Sequence, residues 1–184
     1  MSDGLLLAFG FALGWLPLYV YRTEAMRDAL PYYSAAERRW MWLSPTLVAL
    51  HMTLASILVS FTDPPPGRTA IAIAVFAAGI AFWFWARAQI GPLHTTRRPD
   101  EPPRQLRCDG PFGLVRNPLY FSYLVIAAAP MIVVAQPILL LSYAATFAAL
   151  AARTEHDERR LHQQLGEPYA AYCREVKRLI PFVW

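Results

Sequence analysis

Two short segments of the sequence hold most of the polar side chains that could carry chemistry. The first, residues 110–120, contains Arg116 among two glycines and two prolines, and the second places Arg153 four residues before Asp157, which Glu158 follows. Neighbouring carboxylates suit a positively charged ligand, and the planar fork of an arginine suits a carboxylate. Two simpler explanations stay open: a solvent-exposed salt bridge between Arg153 and Asp157, and an Arg116 side chain that reaches to the membrane surface.

Metal ligation is not indicated by the histidines or cysteines. Cys108 and Cys173 have no CxxC-type neighbour, so we expect two free thiols. His156 and His162 are six residues apart, which places them on different faces of a helix, and His51 and His94 stand alone. We therefore predict no metal site.

The composition is that of a membrane protein. Of the 184 residues, 56% are hydrophobic, and the mean hydropathy of +0.29 is high for a soluble domain. The net charge of +4 could suggest nucleic acid as a partner, but the basic residues flank apolar blocks instead of forming one face. We therefore predict the lipid bilayer as a partner and no nucleic acid.

Apolar runs define about five transmembrane helices and an all-α membrane fold. They cover residues 4–21, 41–61, 69–90, 119–134 and 137–152. The last two runs should form a C-terminal helical hairpin that turns at Gln136 and Pro137. The fifth helix should continue to about Leu165, because no proline or glycine occurs before Gly166. The hairpin brings the Arg116 segment and the Arg153 segment to the same membrane face.

The distribution of Lys and Arg predicts the orientation of these helices. Positive charge is dense after the first span, after the third span and in the tail from Arg153, and sparse in the other two loops. By the positive-inside rule, the N-terminus lies outside and the 91–117 loop and the C-terminus are cytosolic. We expect a multi-pass protein, with the bacterial inner membrane as its location.

Alanines in the last two spans could allow close helix packing, or could simply fill the helices. They are Ala127, Ala128, Ala129, Ala144, Ala145, Ala148 and Ala149.

The combined motifs resemble the isoprenylcysteine carboxyl methyltransferase and phospholipid methyltransferase family of integral membrane enzymes. The family pattern reads G-x-Y-x-x-x-R-H-P-x-Y-x-G, then a paired acidic motif, then F-G-x-x-Y-x-x-Y and a terminal Arg-x-x-Pro. The matching residues here are Gly110, Arg116, Pro118, Tyr120, Arg153, Asp157, Glu158, Leu165, Gly166, Tyr169, Tyr172, Arg178 and Pro181. Asn117 stands in place of the family's usual His, Phe112 in place of Tyr, and Ser122 in place of Gly. Asn cannot take up a proton, which puts any acid or base role at that position in doubt.

The resemblance implies methyl transfer from S-adenosylmethionine (EC 2.1.1.-), bound in a cytosolic pocket, to a lipophilic or small acceptor, with a carboxylate among the candidates. It assigns catalytic roles to Arg116, Arg153 and Glu158. The cofactor contacts that it implies are Arg104, Gln105, Leu106, Arg107, Phe112, Asn117, Pro118, Leu119, Tyr120, Asp157 and Glu158. We expect one domain over residues 1–184, with N-terminal helices in 1–68 and the cofactor-binding core in 69–184.

Two other functions remain open from the sequence. A membrane sterol or enone reductase that uses NADPH shares an R-H-P-x-Y-like element, although Ser122-Tyr123 and the short chain count against it. A catalytically inactive membrane scaffold is the other, because Asn117 departs from the family pattern. Binding of S-adenosylmethionine, of NADPH or of neither separates the three.

Overall fold

The computed structural model describes residues 3–29, 33–90 and 106–184, and within these ranges the chain is helical with no strand. The described residues form seven helices in chain order. They are α1 (Asp3–Ala29), α2 (Ala35–Ser60), α3 (Pro66–Ile90), α4 (Pro111–Leu114), α5 (Pro118–Val133), α6 (Pro137–Leu165) and α7 (Glu167–Glu175). The predicted all-α fold is confirmed.

Five of these helices are apolar enough to lie in a membrane. Three have the length and composition to cross it, over Glu37–Ser60, Pro66–Ile90 and Pro137–Leu165, and Asp3–Leu16 and Pro118–Val133 form shorter apolar helices. The 16 residues of α5 measure about 24 Å along the helix axis. The structure is therefore that of a membrane protein with three helices of spanning length and a shorter apolar helix, α5, among the described residues.

Local sequence signals explain where the helices begin and end. Pro118 and Pro137 occupy the first turns of α5 and α6, where a missing N–H is harmless. Helix α6 runs without a break to Leu165, as predicted, and Gly166 ends it with a φ of 60°, a left-handed conformation that glycine adopts readily. The predicted hairpin between the last two spans is confirmed by the short connection from α5 to α6.

The core forms around α5, which packs most extensively against α3. Gly79 of α3 permits this approach, since a Cβ atom there would lie 2.7 Å from Ile126 Cγ1. On α5, Ile126, Ala127 and Ala129 are fully buried, so these alanines do serve helix packing. The exposed alanines at 144, 145 and 148 of α6 make no such internal contact.

A buried histidine joins three helices within the apolar region. His51 of α2 contacts Ser142 Oγ of α6 through Nδ1 at 2.8 Å and the Ala127 carbonyl oxygen of α5 through Nε2 at 2.9 Å. Thr146 Oγ1 of α6 adds a 3.3 Å hydrogen bond to the Leu47 carbonyl of α2. These bonds hold α2 against the α5–α6 hairpin, which carries the candidate site at its other end.

Candidate functional site

The candidate site begins with a sharp turn into α4, the short helix that precedes α5. Gly110, with a φ of 56°, lets the chain turn into α4, and Pro111 follows as the first residue of that helix. The Tyr172 hydroxyl of α7 donates a 2.6 Å hydrogen bond to the Phe112 carbonyl. Burial raises the pKa of the Tyr172 phenol, so this hydroxyl stays protonated and able to donate.

An extended stretch between α4 and α5 pairs with the chain that follows α7. The Arg116 main-chain N–H donates to the Lys177 carbonyl at 2.8 Å, and the Asn117 N–H donates to the Arg178 carbonyl at 3.1 Å. Both residues precede the first turn of α5, so the two bonds fix the direction in which their side chains leave the backbone. The side chains of Arg116 and Asn117 then turn toward α6.

Arg116 forms a bidentate ion pair with Glu158 of α6. Its Nε lies 3.0 Å from Glu158 Oε1, and its Nη2 lies 3.0 Å from Oε2. The remaining terminal nitrogen, Nη1, donates to the carbonyls of Cys173 at 3.1 Å and Val176 at 2.5 Å. Burial disfavours the charged guanidinium, but the hydrogen bonds and charge of Glu158 outweigh it and raise the pKa of Arg116.

Glu158 is the centre of this network. Besides Arg116, its carboxylate accepts from Asn117 Nδ2 at 2.8 Å and from Arg178 Nε at 2.9 Å. Its side chain is only 4% exposed. With four hydrogen bonds on a carboxylate that offers about four lone-pair positions, Glu158 has no accepting capacity left for a ligand.

Asp157 is placed differently, although it is the next residue in the helix. The Tyr120 hydroxyl donates to Asp157 Oδ2 at 2.7 Å, and Arg153 Nε donates to the same oxygen at 3.0 Å. Among the described residues, Oδ1 receives no hydrogen bond, and the Asp157 side chain is 32% exposed. Asp157 therefore has one oxygen without a hydrogen bond from the described residues, and part of its side chain is exposed.

The two simpler explanations for the arginines do not hold. Arg153 does pair with Asp157, but it is 8% exposed, so the pair is not the solvent-exposed salt bridge of an ordinary helix surface. Arg116 is bound to Glu158 from a largely buried position and does not reach to a membrane surface. Arg116 belongs to a network around Glu158 that includes the chain after α7, and Arg153 belongs to a neighbouring group with Asp157 and Tyr120.

The predicted meeting of the two polar segments is confirmed, because the bonds from Arg116 and Tyr120 cross from one to the other.

The remaining predicted cofactor contacts are more dispersed. Pro118 is buried at the start of α5, Leu119 packs partly against the core, and Arg107 forms a 3.9 Å surface pair with Asp109. Leu106 is half-buried at the beginning of its described stretch, and Arg104 and Gln105 lie outside the described residues. Which of these side chains touch a cofactor stays a prediction.

Arg178 is a member of the network that the sequence did not single out as a site residue. Its Nε donates to Glu158, and its carbonyl oxygen accepts from both the main chain and the side chain of Asn117. The sequence feature that could have pointed to Arg178 is the terminal Arg-x-x-Pro motif, which runs from Arg178 to Pro181. The motif counted toward the resemblance, but nothing in its spacing indicated contact with α6.

Metal ligands do not cluster in the part of the chain that the structure describes, where no group of three or more His, Cys, Asp or Glu side chains could hold an ion. Cys108 and Cys173 are free thiols there, and burial raises the pKa of each. The His156 ring packs against the Trp40 ring in a tilted arrangement, with ring centroids 5.8 Å apart.

Comparison with protein families gives this arrangement a context. The model of the isoprenylcysteine carboxyl methyltransferase (ICMT) family matches residues 70–163, just over half of the chain. The chain belongs to the ICMT family. The ICMT match runs from α3 into α6, so it contains Arg116, Arg153 and the acidic pair but not Arg178. ICMT membership indicates a membrane methyltransferase. No curated protein matches the chain.

Proposed function

We propose that this ICMT-family protein transfers a methyl group from S-adenosylmethionine to a lipophilic or small acceptor, with a carboxylate as the favoured accepting group. The observation that carries the proposal is the state of Asp157, a partly exposed carboxylate held by Tyr120 and Arg153 with one oxygen open. S-adenosylmethionine carries a sulfonium and an ammonium cation, and a fixed carboxylate favours such charges. The residues present therefore fit this cofactor.

Asp157 and Glu158 have different roles in this proposal. Asp157 faces the cationic cofactor, whereas Glu158 is a positioning residue that holds Arg116, Asn117 and Arg178 together. The resemblance predicts both carboxylates as cofactor contacts and Glu158 as catalytic. The saturation of Glu158 by protein donors favours a role that acts through its neighbours.

Arg153 is the residue that we propose for the acceptor. Its Nε is bound to Asp157, and the planar guanidinium offers further N–H donors in a geometry that suits a carboxylate. The stretch of α6 before it, residues 137–152, carries no charged side chain. Arg153 therefore stands where the apolar part of α6 ends, so a lipophilic acceptor could leave its tail in the bilayer and present its polar end here.

Methyl transfer needs little from the protein beyond orientation. The bound cofactor supplies an electrophilic methyl group on sulfur, and an in-line displacement requires no protein nucleophile. Asp157 would orient the cofactor, Arg153 would align the acceptor and hold its carboxylate ionised, and the apolar surroundings would exclude water. The side chains of Arg104 and Arg107, or the backbone amides of this loop, are the proposed donors for the cofactor's own carboxylate.

We further propose that residues 1–184 act as one domain with the site on the cytosolic side of a bacterial inner membrane. The contacts of His51 with α5 and α6 support a single unit, because they join the N-terminal helices to the predicted core. The concentration of arginines near the site supports the orientation.

Calorimetry on the full chain purified in detergent tests the cofactor assignment. S-adenosylmethionine should bind the native protein, and Asp157→Asn should weaken that binding at least tenfold, because the charge that faces the cation is gone. Glu155→Gln is the matched control, since Glu155 lies on the same helix but pairs with Arg159 at the surface. Equal affinity in Asp157→Asn and the native protein would refute the assignment. Binding of NADPH instead would favour the reductase, and binding of neither would favour the scaffold.

The acceptor assignment needs a separate measurement. Membrane extracts incubated with methyl-labelled cofactor and analysed by mass spectrometry should reveal a labelled lipophilic product. Arg153→Lys should reduce labelling more than it reduces cofactor binding, because the lysine keeps the charge near Asp157 but loses the fork. If both fall by the same factor, Arg153 serves the cofactor and not the acceptor.

A further inference from the structure

The chain after α7 ends in a tight turn that displays apolar side chains. The Trp184 main-chain oxygen accepts from the N–H groups of Leu179 at 2.8 Å and Ile180 at 2.7 Å, and the Val183 N–H donates to the Ile180 carbonyl at 3.2 Å. Phe182 adopts a left-handed φ of 64°, which is unfavourable for a residue with a large side chain. The result is a fixed turn from which Phe182, 86% exposed, and Val183, 73% exposed, project outward.

This turn lies against a membrane-spanning helix. Leu179 is fully buried in the hydrophobic core, and the Trp184 ring lies 5.8 Å from the Phe147 ring of α6. Phe147 is six residues before Arg153, which is about 9 Å along the helix toward the apolar end. Trp184 therefore places the turn beside the last part of the apolar stretch of α6.

Positive charge adjoins the turn. The Arg178 guanidinium lies 5.4 Å from the centroid of the Trp184 ring, and Lys177 is exposed beside it. A cavity of about 220 Å³ opens between these groups, lined by Arg116, Cys173, Lys177, Arg178, Val183 and Trp184. The carboxylate that contacts Arg178, that of Glu158, is buried and already bonded, so the open side of the cavity is basic.

We infer that this surface, formed by Lys177, Arg178, Phe182, Val183 and Trp184, docks into the interface of an anionic lipid leaflet. Phe182 and Val183 enter between the headgroups, and a lipid phosphate occupies the cavity beside Lys177 and Arg178. Aromatic and aliphatic side chains combined with basic residues are typical of surfaces that bind anionic membranes. Continuity with α6 favours lipid over a soluble protein, because the surface begins where that helix is already in the bilayer.

Docking would also stabilise the position of Arg178, which contacts the candidate site. Arg178 contacts both the Trp184 ring and Glu158, so it connects the lipid-facing turn to the network that holds Arg116 and Asn117. A phosphate that keeps Arg178 in place would thereby support the geometry beside Asp157. The inference itself concerns lipid contact and does not depend on which methyl donor binds.

Spin-label depth measurements test the docking. In the full chain with Cys108→Ser and Cys173→Ser, a nitroxide is attached at Val183→Cys, and a matched label is attached at Glu167→Cys, an exposed position at the start of α7. The protein is reconstituted in phosphatidylcholine vesicles with or without phosphatidylglycerol. Collision rates with molecular oxygen and with a water-soluble nickel complex then report the depth of each label.

The label at position 183 should show a ratio of oxygen to nickel collisions several-fold higher than the label at 167. Phosphatidylglycerol should increase that ratio, and Lys177→Glu should abolish the increase. A ratio equal to that of the 167 label would overturn the docking, and a ratio indifferent to phosphatidylglycerol would overturn the phosphate site. Because no cofactor is present, either failure is distinguishable from a failure of the proposed methyl transfer.

Discussion

Asn117 donates a hydrogen bond from its side-chain amide to Glu158, with 2.8 Å between Nδ2 and Oε1. The same amide nitrogen lies 3.1 Å from the Arg178 carbonyl. The family pattern usually has His at this position, and an imidazole N–H can also donate to a carboxylate. We infer that the position requires a hydrogen-bond donor and not a group that takes up a proton.

Substitutions at Asn117 separate these two requirements. Asn117→Leu removes a donor to a buried carboxylate, which should cost about 1.5–3 kcal/mol and reduce methyl transfer roughly tenfold or more. Asn117→His restores a donor and should keep most of the activity. Both variants are compared by initial rates and by thermal unfolding in detergent. Equal losses in the two would show that donation to Glu158 is not what the position supplies.

Glu158 and Asp157 should differ in their contribution to stability. Glu158→Gln leaves Arg116 and Arg178 without their shared anion in a buried setting, which should destabilise the protein by about 3–5 kcal/mol. Asp157→Asn removes the anion of one arginine, Arg153, instead of two, and the side chain at position 157 is 32% exposed, so this variant should lower the unfolding temperature less. Thermal unfolding of the two variants side by side tests this difference. A larger loss for Asp157→Asn would contradict the proposed division between the two carboxylates.

His51 should matter for stability but not for cofactor affinity. His51→Leu removes the bonds to Ser142 and Ala127 within the apolar region, where such bonds contribute about 0.6–2 kcal/mol. Ser142 lies 11 residues before Arg153, or about 16 Å along α6, so the candidate site should be unaffected. Ser142→Ala serves as a milder variant of the same contact. A changed affinity for S-adenosylmethionine in His51→Leu would show coupling that the structure does not predict.

The two thiols should react slowly with alkylating agents at neutral pH. Burial raises the pKa of both, and for Cys108 the nearby charges of Asp109 and Glu175 add to the effect. A raised thiol pKa means that the reactive thiolate forms only at higher pH. The midpoint of the rise in alkylation rate should therefore lie at a pH above the pKa of free cysteine. Iodoacetamide labelling over a pH series, read for each peptide by mass spectrometry, gives both midpoints. A midpoint below that of free cysteine would contradict the prediction.

The apolar runs of the sequence predicted where the long helices lie, but not every helix end. Helix α1 continues to Ala29, eight residues past the predicted end of the first span, and α2 begins at Ala35, six residues before the predicted second span. There Ser34 and Glu37 form a reciprocal capping box, in which the Ser34 main-chain N–H donates to Glu37 and the Glu37 N–H donates to Ser34 Oγ. The Ser-x-x-Glu signature is present in the sequence, but hydropathy alone does not detect it.

The site was predictable only to the level of proximity. Connectivity through the α5–α6 hairpin brought Arg116 near the acidic pair, because a short connection leaves no other arrangement. Asp157 and Glu158, however, point about 100° apart on their helix, and the sequence does not indicate which of them meets Arg116. The carbonyls of Cys173 and Val176 that bind Arg116 come from the backbone, so no residue type marks them.

The main-chain pairing of Arg116 with Lys177 bears on the order of events during biosynthesis. The segment that holds Arg116 and Asn117 can pair only with residues that the ribosome adds after the whole α5–α6 hairpin has been made. The bundle can therefore insert in the membrane before its site exists. A nascent chain stalled ahead of Lys177 would lie in the bilayer as helices whose Arg116 segment lacks its main-chain partners, so the site depends on the synthesis of residues 177 and 178.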